Sequence, residues 1–112
     1  MEPTLIAAVI FVESGGNEKT DPSTSGAIGL MQVMPRDGIA ANFQCPNGPC
    51  FSDRPSIREL EDPQYNVQFG SDLLLKNIRT YGIRDGILHY GPMDLGYEYA
   101  DTVLSIVTEV KQ

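Results

Sequence analysis

The sequence is poor in several features that mark well-known classes of protein. Its longest apolar run, residues 5–12, is far shorter than the roughly 20 residues needed to cross a bilayer, so we predict no membrane insertion. One His and two Cys are too few ligands for a closed zinc site, and we predict no metal and no cofactor. The absence of internal repeats and low-complexity tracts excludes a repeat array.

Positive charge is also scarce. The chain has 8 Lys and Arg against 15 Asp and Glu, which gives a net charge of −7 at pH 7. A surface of this sign repels polyanions, so we predict no nucleic acid and no anionic membrane as partners. No basic segment precedes an apolar stretch with a small-residue cleavage site, so no secretory signal peptide is predicted. The 112 residues predict a single domain over 1–112 with a modest core.

Helical signals dominate the chain, and the predicted fold class is mainly α. Ser56 and Glu59 have the spacing of a capping box, which begins a short helix. Asp62 is a helix N-cap residue, and Gly82 is suited to end the long helix that follows. Further helices are predicted over 3–13, 36–43, 85–90 and 95–110, and the loop over 43–54 has room for a small β-hairpin.

An acidic residue, Glu13, stands at the C-terminal end of the first predicted helix. Leu5, Val9 and Glu13 are four residues apart and therefore share one face of that helix. The helix is apolar almost all round, so we expect it to be buried. A carboxyl group that continues a buried stripe is desolvated, which raises its pKa and favours the protonated form that a general acid needs. The alternative is an ordinary solvated acid at a helix end.

The two cysteines, Cys45 and Cys50, bracket the segment Pro-Asn-Gly-Pro. Four intervening residues differ from the two of a common redox motif. Turn residues between the thiols allow a close approach, so one interpretation is a small disulfide that closes a loop in an oxidising location. The other is a pair of free thiols.

Four blocks of sequence carry the most distinctive pattern. They are ESGGN from Glu13, STSGAIGLMQVMP from Ser23, LEDPQYNVQFGSDLL from Leu60 and LHYGP from Leu88. In this order they resemble the soluble lytic transglycosylase (SLT) domain of the goose-type lysozyme superfamily. That family has E-S-x-x-N, then S-x-x-G-A-x-G-L-M-Q-x-M-P, then L-x-D-P-x-x-N-x-x-x-G-x-x-x-L. The resemblance covers nearly the whole chain.

The resemblance implies a lysozyme-like helical domain around a glycan cleft. It implies cleavage of the β-1,4 bond between N-acetylmuramic acid and N-acetylglucosamine in peptidoglycan, with Glu13 as the single general acid and base. Most glycosidases use two carboxylates, but Glu18, Asp21 and Asp37 match no catalytic position of the family. In the family the substrate's own acetamido oxygen acts as the nucleophile, which gives 1,6-anhydromuramoyl products.

Other site residues are carried over by position. Gln32 offers an amide to an N-acetyl group, and Met31 offers an apolar wall to the glycan, whereas Met34 is expected in the core. The implied substrate-binding residues are Ser23, Met31, Gln32 and Tyr90, and the implied structural-motif residues are Gly26, Gly29 and Asn66. Turn geometry alone would explain either glycine.

The fourth block departs from the family pattern, which is A-Y-N-A-G-P. If the blocks are aligned on Gly91 and Pro92, Leu88 takes the tyrosine position and His89 the asparagine position. If they are aligned on the aromatic ring, Tyr90 takes the tyrosine position. Both alignments stay open.

Two alternatives to the transglycosylase remain in view. One is a hydrolase of the same superfamily, a lysozyme or a chitinase, because an acidic surface suits an uncharged chitin-type substrate. The other is a catalytically silent glycan-binding or structural domain of a virion or secretion machine. The expected place of action is outside the cytoplasm, in the periplasm, cell wall or phage virion. The chain is expected to be a monomer or a part of a larger multidomain protein.

Overall fold

The computed structural model describes residues 3–16, 26–91 and 96–110. Within these ranges the chain is mainly α-helical with a short antiparallel hairpin, which confirms the predicted fold class. The elements are α1 (Pro3–Ser14), a 3-10 helix (Gly38–Asn42), β1 (Gln44–Cys45), β2 (Gly48–Pro49), α2 (Ile57–Leu60), α3 (Pro63–Tyr81), α4 (Ile83–Tyr90) and α5 (Tyr97–Val110).

The chain divides into two compact units. One comprises residues 1–12 and 69–112, which include α4 and α5, and the other comprises residues 13–68, which include the hairpin and α2. The division falls within α1 and within α3. The single domain over 1–112 stays a prediction.

In the unit of residues 13–68, short-range signals fix where α2 and α3 begin. The Ser56 Oγ accepts a hydrogen bond from the Glu59 N–H at 3.2 Å, and Glu59 Oε1 accepts one from the Ser56 N–H at 3.0 Å. These are both halves of the predicted capping box. Asp62 Oδ1 accepts from the N–H groups of Gln64 and Tyr65, at 3.0 and 3.3 Å, at the start of α3. Both predicted helix starts are confirmed.

The predicted hairpin and disulfide are also confirmed. Strand β1 pairs antiparallel with β2, with Cys45 opposite Gly48. Cys45 and Cys50 form a disulfide, and the Cys50 N–H donates to the Phe43 carbonyl at 2.9 Å. The covalent bond therefore closes a hairpin whose strands are only two residues long.

In the other unit, α4 and α5 are joined by a polar group that we call the α4–α5 clasp. Arg84 forms a bidentate ion pair with Asp101, with both N–O distances 2.9 Å. The same guanidinium lies 4.0 Å from the ring centroid of Tyr97, whose hydroxyl donates to Asp85. Arg84 and Asp101 are more than half exposed, so their ion pair adds little to the free energy of unfolding.

Helix α1 is less buried than its composition predicts. Leu5, Ala8 and Val9 are buried, but Phe11 is 65% exposed and Ala7 is exposed too. The expectation of burial on all sides is therefore wrong, because one apolar side of α1 faces a cavity of about 570 Å³ rather than packed side chains. None of the described helices is long and apolar enough to span a bilayer. The cavity is lined by residues of α1 and α5: Pro3, Thr4, Ala7, Ala8, Phe11, Ile106, Glu109 and Val110.

Candidate active site

Glu13 lies in the last turn of α1, at the end of the predicted apolar stripe. Val9, one turn earlier, is fully buried, and Leu5 is buried one turn before that. Glu13 itself is half-buried. The stripe therefore ends in an acidic residue that is partly covered by protein and partly open to solvent.

Several residues considered for the site lie in the segment that follows Glu13. Glu18, Asp21 and Ser23 all lie outside the described residues. Asp37 is described, and its Oδ1 accepts a hydrogen bond from the Ile57 N–H at 2.8 Å at the start of α2. This carboxylate is exposed and caps a helix, so it has a structural role that the sequence did not reveal.

The segment Ile28–Val33 forms a compact turn, which we call the motif turn. Ile28 and Val33 face each other as an isolated antiparallel pair, with N–O distances of 2.9 and 3.0 Å in the two directions. The Gln32 N–H donates to the Gly29 carbonyl at 3.0 Å, and the Gln32 Nε2 donates to the same oxygen at 2.9 Å. The side chain of Gln32 is thus tied back to the turn that carries it.

Two glycines, one just before the motif turn and one within it, stand where another residue would not fit. Gly26 and Gly29 have φ angles of +89° and +76°, which side chains disfavour. A Cβ on Gly29 would lie 2.4 Å from the Asn66 Nδ2, and one on Gly26 would lie 3.0 Å from the Ala40 nitrogen. Both glycines have a structural reason, and contact between their backbone and a glycan stays a prediction.

Gln32 is the only non-glycine residue with positive φ in the described part of the chain, at +48°. A non-glycine residue in this left-handed region costs of order 1 kcal/mol or more, and it persists only where the surroundings hold it. Such strain is common at functional sites. Gln32 is half-buried, so part of the residue is accessible to solvent.

Asn66, in the first turn of α3, is bonded to the motif turn on both sides. Its Oδ1 accepts from the Met31 N–H at 2.9 Å, and its Nδ2 donates to the Ile28 carbonyl at 2.8 Å. The same Nδ2 donates to the Leu60 carbonyl at 3.0 Å. A side chain that the sequence placed only in a structural motif thus contacts the segment that carries the predicted glycan-binding residues.

The burial of the two motif methionines is the reverse of the expectation. Met31 is fully buried, whereas Met34 is half-buried. The side chain of Met31 therefore belongs to the packed interior of this unit, and the core assignment of Met34 is wrong. A contact between Met31 and a glycan stays a prediction.

Tyr90 and Leu88, the two candidates for the family tyrosine, are both half-buried near the end of α4. His89 between them is exposed and stacks on Tyr81, with ring centroids 3.9 Å apart and planes at 20°. In the described residues, no group of three or more His, Cys, Asp or Glu side chains is arranged to hold a metal ion.

Arg54, which no sequence pattern singles out, supports the motif segment. Its Nη1 donates to the Met34 carbonyl at 3.4 Å, and its guanidinium lies 5.2 Å from the centroid of the Phe51 ring. Phe51 in turn packs edge-on against Phe43, the residue directly before β1. No local signal could have revealed Arg54, because it contacts a residue 20 positions away.

Comparison with known proteins agrees with the motif blocks. A family model for the transglycosylase SLT domain matches residues 1–90. The chain belongs to the transglycosylase SLT domain family, as the resemblance predicted. No solved structure matches significantly.

Several relatives with names are similar to this chain in sequence. An endo-type membrane-bound lytic murein transglycosylase A of Klebsiella pneumoniae is 37% identical over 87 residues, which is 76% of this chain and 41% of that protein. A membrane-bound lytic murein transglycosylase E of Buchnera aphidicola is 39% identical over 74 residues, 66% of this chain and 32% of that protein. A transglycosylase of Enterobacteria phage PRD1 is 32% identical over 91 residues, 80% of this chain and 29% of that protein. The chain thus spans less than half the length of these relatives.

Proposed function

We propose that this chain is a peptidoglycan lytic transglycosylase, with Glu13 as its single general acid and base. The relatives' names support the reaction class, and two of them name murein as the substrate. The observation that carries the proposal is the motif turn, in which a strained, tethered Gln32 is held beside a buried Met31. Such strain persists where the surroundings hold it, and it is frequent at functional sites, which supports a binding role for Gln32.

The reaction needs one proton donor that later becomes a base. Glu13 gives its proton to the oxygen that joins N-acetylmuramic acid to N-acetylglucosamine, and the C1–O4 bond breaks. The 2-acetamido oxygen of the muramoyl residue bonds to C1 and carries the positive charge. The Glu13 carboxylate then takes the proton of the 6-hydroxyl, whose oxygen attacks C1 as the acetamido oxygen leaves. No water is consumed, and Glu13 recovers its proton.

Gln32 is proposed to bind the acetamido group. One N–H of its side-chain amide is donated to the Gly29 carbonyl. An amide has a second N–H and a carbonyl oxygen, which match the acceptor and the donor of an N-acetyl group. Ser23, Met31 and Tyr90 are proposed as further glycan contacts.

The place of action follows from the substrate. Peptidoglycan lies outside the cytoplasm, so we propose that the chain acts there, in the periplasm, cell wall or a phage virion. The net charge of −7 would disfavour non-specific attraction to anionic wall polymers, so recognition is proposed to rest on the neutral glycan.

The test is mass spectrometry of soluble products from purified sacculi. The wild-type chain should release 1,6-anhydromuropeptides, each one water lighter than the hydrolysis product, and Glu13→Gln should release none. Glu61→Gln is the matched control. Glu61 is an exposed acid at the unspecified position, x, of the family pattern L-x-D-P. Because Glu13 must start protonated, activity should be highest on the acidic side of neutral pH.

Other outcomes would revise the proposal in defined ways. Reducing-end products would assign a lysozyme. Cleavage of chitin oligomers alone would assign a chitinase. A wild-type chain that binds glycan without cleaving it would assign a catalytically silent domain, and Glu13→Gln should then leave any biological phenotype unchanged.

A further inference from the structure

Asn66 is the one polar or charged side chain that is buried among the described residues, with no exposed surface. A buried amide is costly unless its polar atoms are hydrogen-bonded. All of its N–H donors are used, one on Ile28 and one on Leu60, and its oxygen accepts from Met31. The amide thus joins three segments: the motif turn, the end of α2 and the start of α3.

The two bonds to the motif turn lie on either side of its tip. One holds the carbonyl of Ile28, where the turn begins, and the other holds the N–H of Met31, directly before Gln32. The left-handed backbone of Gln32 needs support from its surroundings. Asn66 supplies that support from inside the protein, because it fixes the peptide group between Leu30 and Met31, one residue before Gln32.

Gly29 shows how closely this amide fits. A Cβ at Gly29 would lie 2.4 Å from the Asn66 Nδ2 and 2.9 Å from its Cγ. No real Cβ contact is this short, so a side chain at Gly29 would push the Asn66 amide and the turn apart. The position of the Asn66 amide therefore depends on the absence of a side chain at Gly29.

We propose that Asn66 is a positioning residue for glycan binding, which holds the motif turn so that Gln32 presents its amide to the N-acetyl group. This inference rests on the proposed transglycosylase function. It assigns Asn66 no contact with substrate, only control of the residue that makes the contact. It predicts that loss of the Asn66 amide weakens substrate binding in protein that is still folded.

The experiment compares Asn66→Asp with the wild type on soluble, uncross-linked peptidoglycan glycan strands. Asp has nearly the same shape but cannot donate two hydrogen bonds, and its charge would face two carbonyl oxygens. We expect KM to rise about tenfold, because leaving a buried polar group without its partner commonly changes an equilibrium constant by about that factor. The matched control is Asn77→Asp on the same helix, whose KM should stay that of the wild type.

The split between KM and kcat separates positioning from a general loss of stability. Partial unfolding lowers the concentration of active protein, so it lowers the apparent kcat and leaves KM unchanged. Hydrogen exchange of the Met31 amide, followed by NMR, gives a second readout that needs no substrate. That amide should exchange at least about tenfold faster in Asn66→Asp. Repulsion between the carboxylate and the Ile28 and Leu60 carbonyl oxygens displaces the oxygen that accepts from Met31.

Gly29→Ala tests the same contact from the other side and keeps the amide chemistry of Asn66 intact. It should raise KM in the same direction. Unchanged KM in either folded variant would overturn the positioning role while the proposed function stands. If the wild type neither binds nor cleaves the strands, the proposed function itself fails and the positioning role fails with it.

Discussion

Gly91, next to Tyr90 at the end of α4, offers a sharp test of packing in the unit that contains α4 and α5. Its φ and ψ are −83° and −171°, an extended conformation that alanine adopts readily. Backbone conformation therefore does not explain the glycine. The lack of space for a side chain explains the glycine, because a Cβ would lie 2.2, 2.3 and 2.7 Å from three atoms of the Tyr99 ring.

The expected effect of Gly91→Ala follows from these distances. Tyr99 is 4% exposed, so its ring cannot swing out into solvent to make room. Overpacking of this kind costs about 1–3 kcal/mol. At about 4 °C per kcal/mol for a domain near 100 residues, Tm should fall by about 4–12 °C. Urea denaturation followed by circular dichroism measures the free energy of unfolding, and Ser105→Ala at an exposed position of α5 is the control.

A double-mutant cycle identifies the cause. Tyr99→Ala alone should cost about 3–5 kcal/mol, as expected for a large buried aromatic side chain. In that background the ring is gone, so Gly91→Ala should be neutral within about 0.5 kcal/mol. A Gly91→Ala chain with wild-type stability would refute the steric argument. So would a cost that persists without the Tyr99 ring.

Three further predictions concern the hairpin, a helix cap and the α4–α5 clasp. Replacing Cys45 and Cys50 together by Ser should lower the free energy of unfolding by about 2 kcal/mol, the loop-closure value for so short a loop, and reductant should do the same to the wild type in a thermal melt. Hydrogen bonds from the Ser56 backbone and hydroxyl lower the pKa of Glu59 below its ordinary 4.5. The contribution of Glu59 to the free energy of unfolding is therefore present above pH 4.5 and is lost on acidification. In urea titrations, Glu59→Gln should lose less stability than the wild type between pH 6 and pH 3. The hydrogen bond to Asp85 raises the pKa of Tyr97 above its ordinary 10.0, so the stabilisation by Tyr97 is present below pH 10 and is lost as pH rises through the raised value. The free energy of unfolding of Tyr97→Phe should fall less than that of the wild type at alkaline pH. An equal fall in both chains would contradict this.

Much of the fold was predictable because its signals are local. The capping box of Ser56 and Glu59 and the Asp62 cap each act within four residues of chain, so composition and spacing were enough to place them. Predicted boundaries were less exact where no such cap exists. Helix α4 begins at Ile83, two residues before the predicted start, since Gly82 serves both to end α3 and to precede α4.

The sequence nominates residues for the candidate site but does not give their arrangement. The motif blocks named Glu13, Gln32 and Asn66 because the order of residue types is specific. They could not show that Met31 is buried and Met34 half-buried, since both fit the same apolar pattern. Nor could they show that Asp37 caps α2, because its partner Ile57 lies 20 residues away.

The sequence by itself therefore determined the family, the helical class and the starts of α2 and α3, and it predicts Glu13 as the acid that the proposed chemistry needs. These depend on residue order and on interactions within a turn or two of helix. The tertiary structure decided which apolar residues are covered, why Gly91 has no side chain, and how Asn66 holds the motif turn. Those properties depend on contacts between residues distant in the chain, where burial and the space around an atom are set by packing rather than by neighbouring residues.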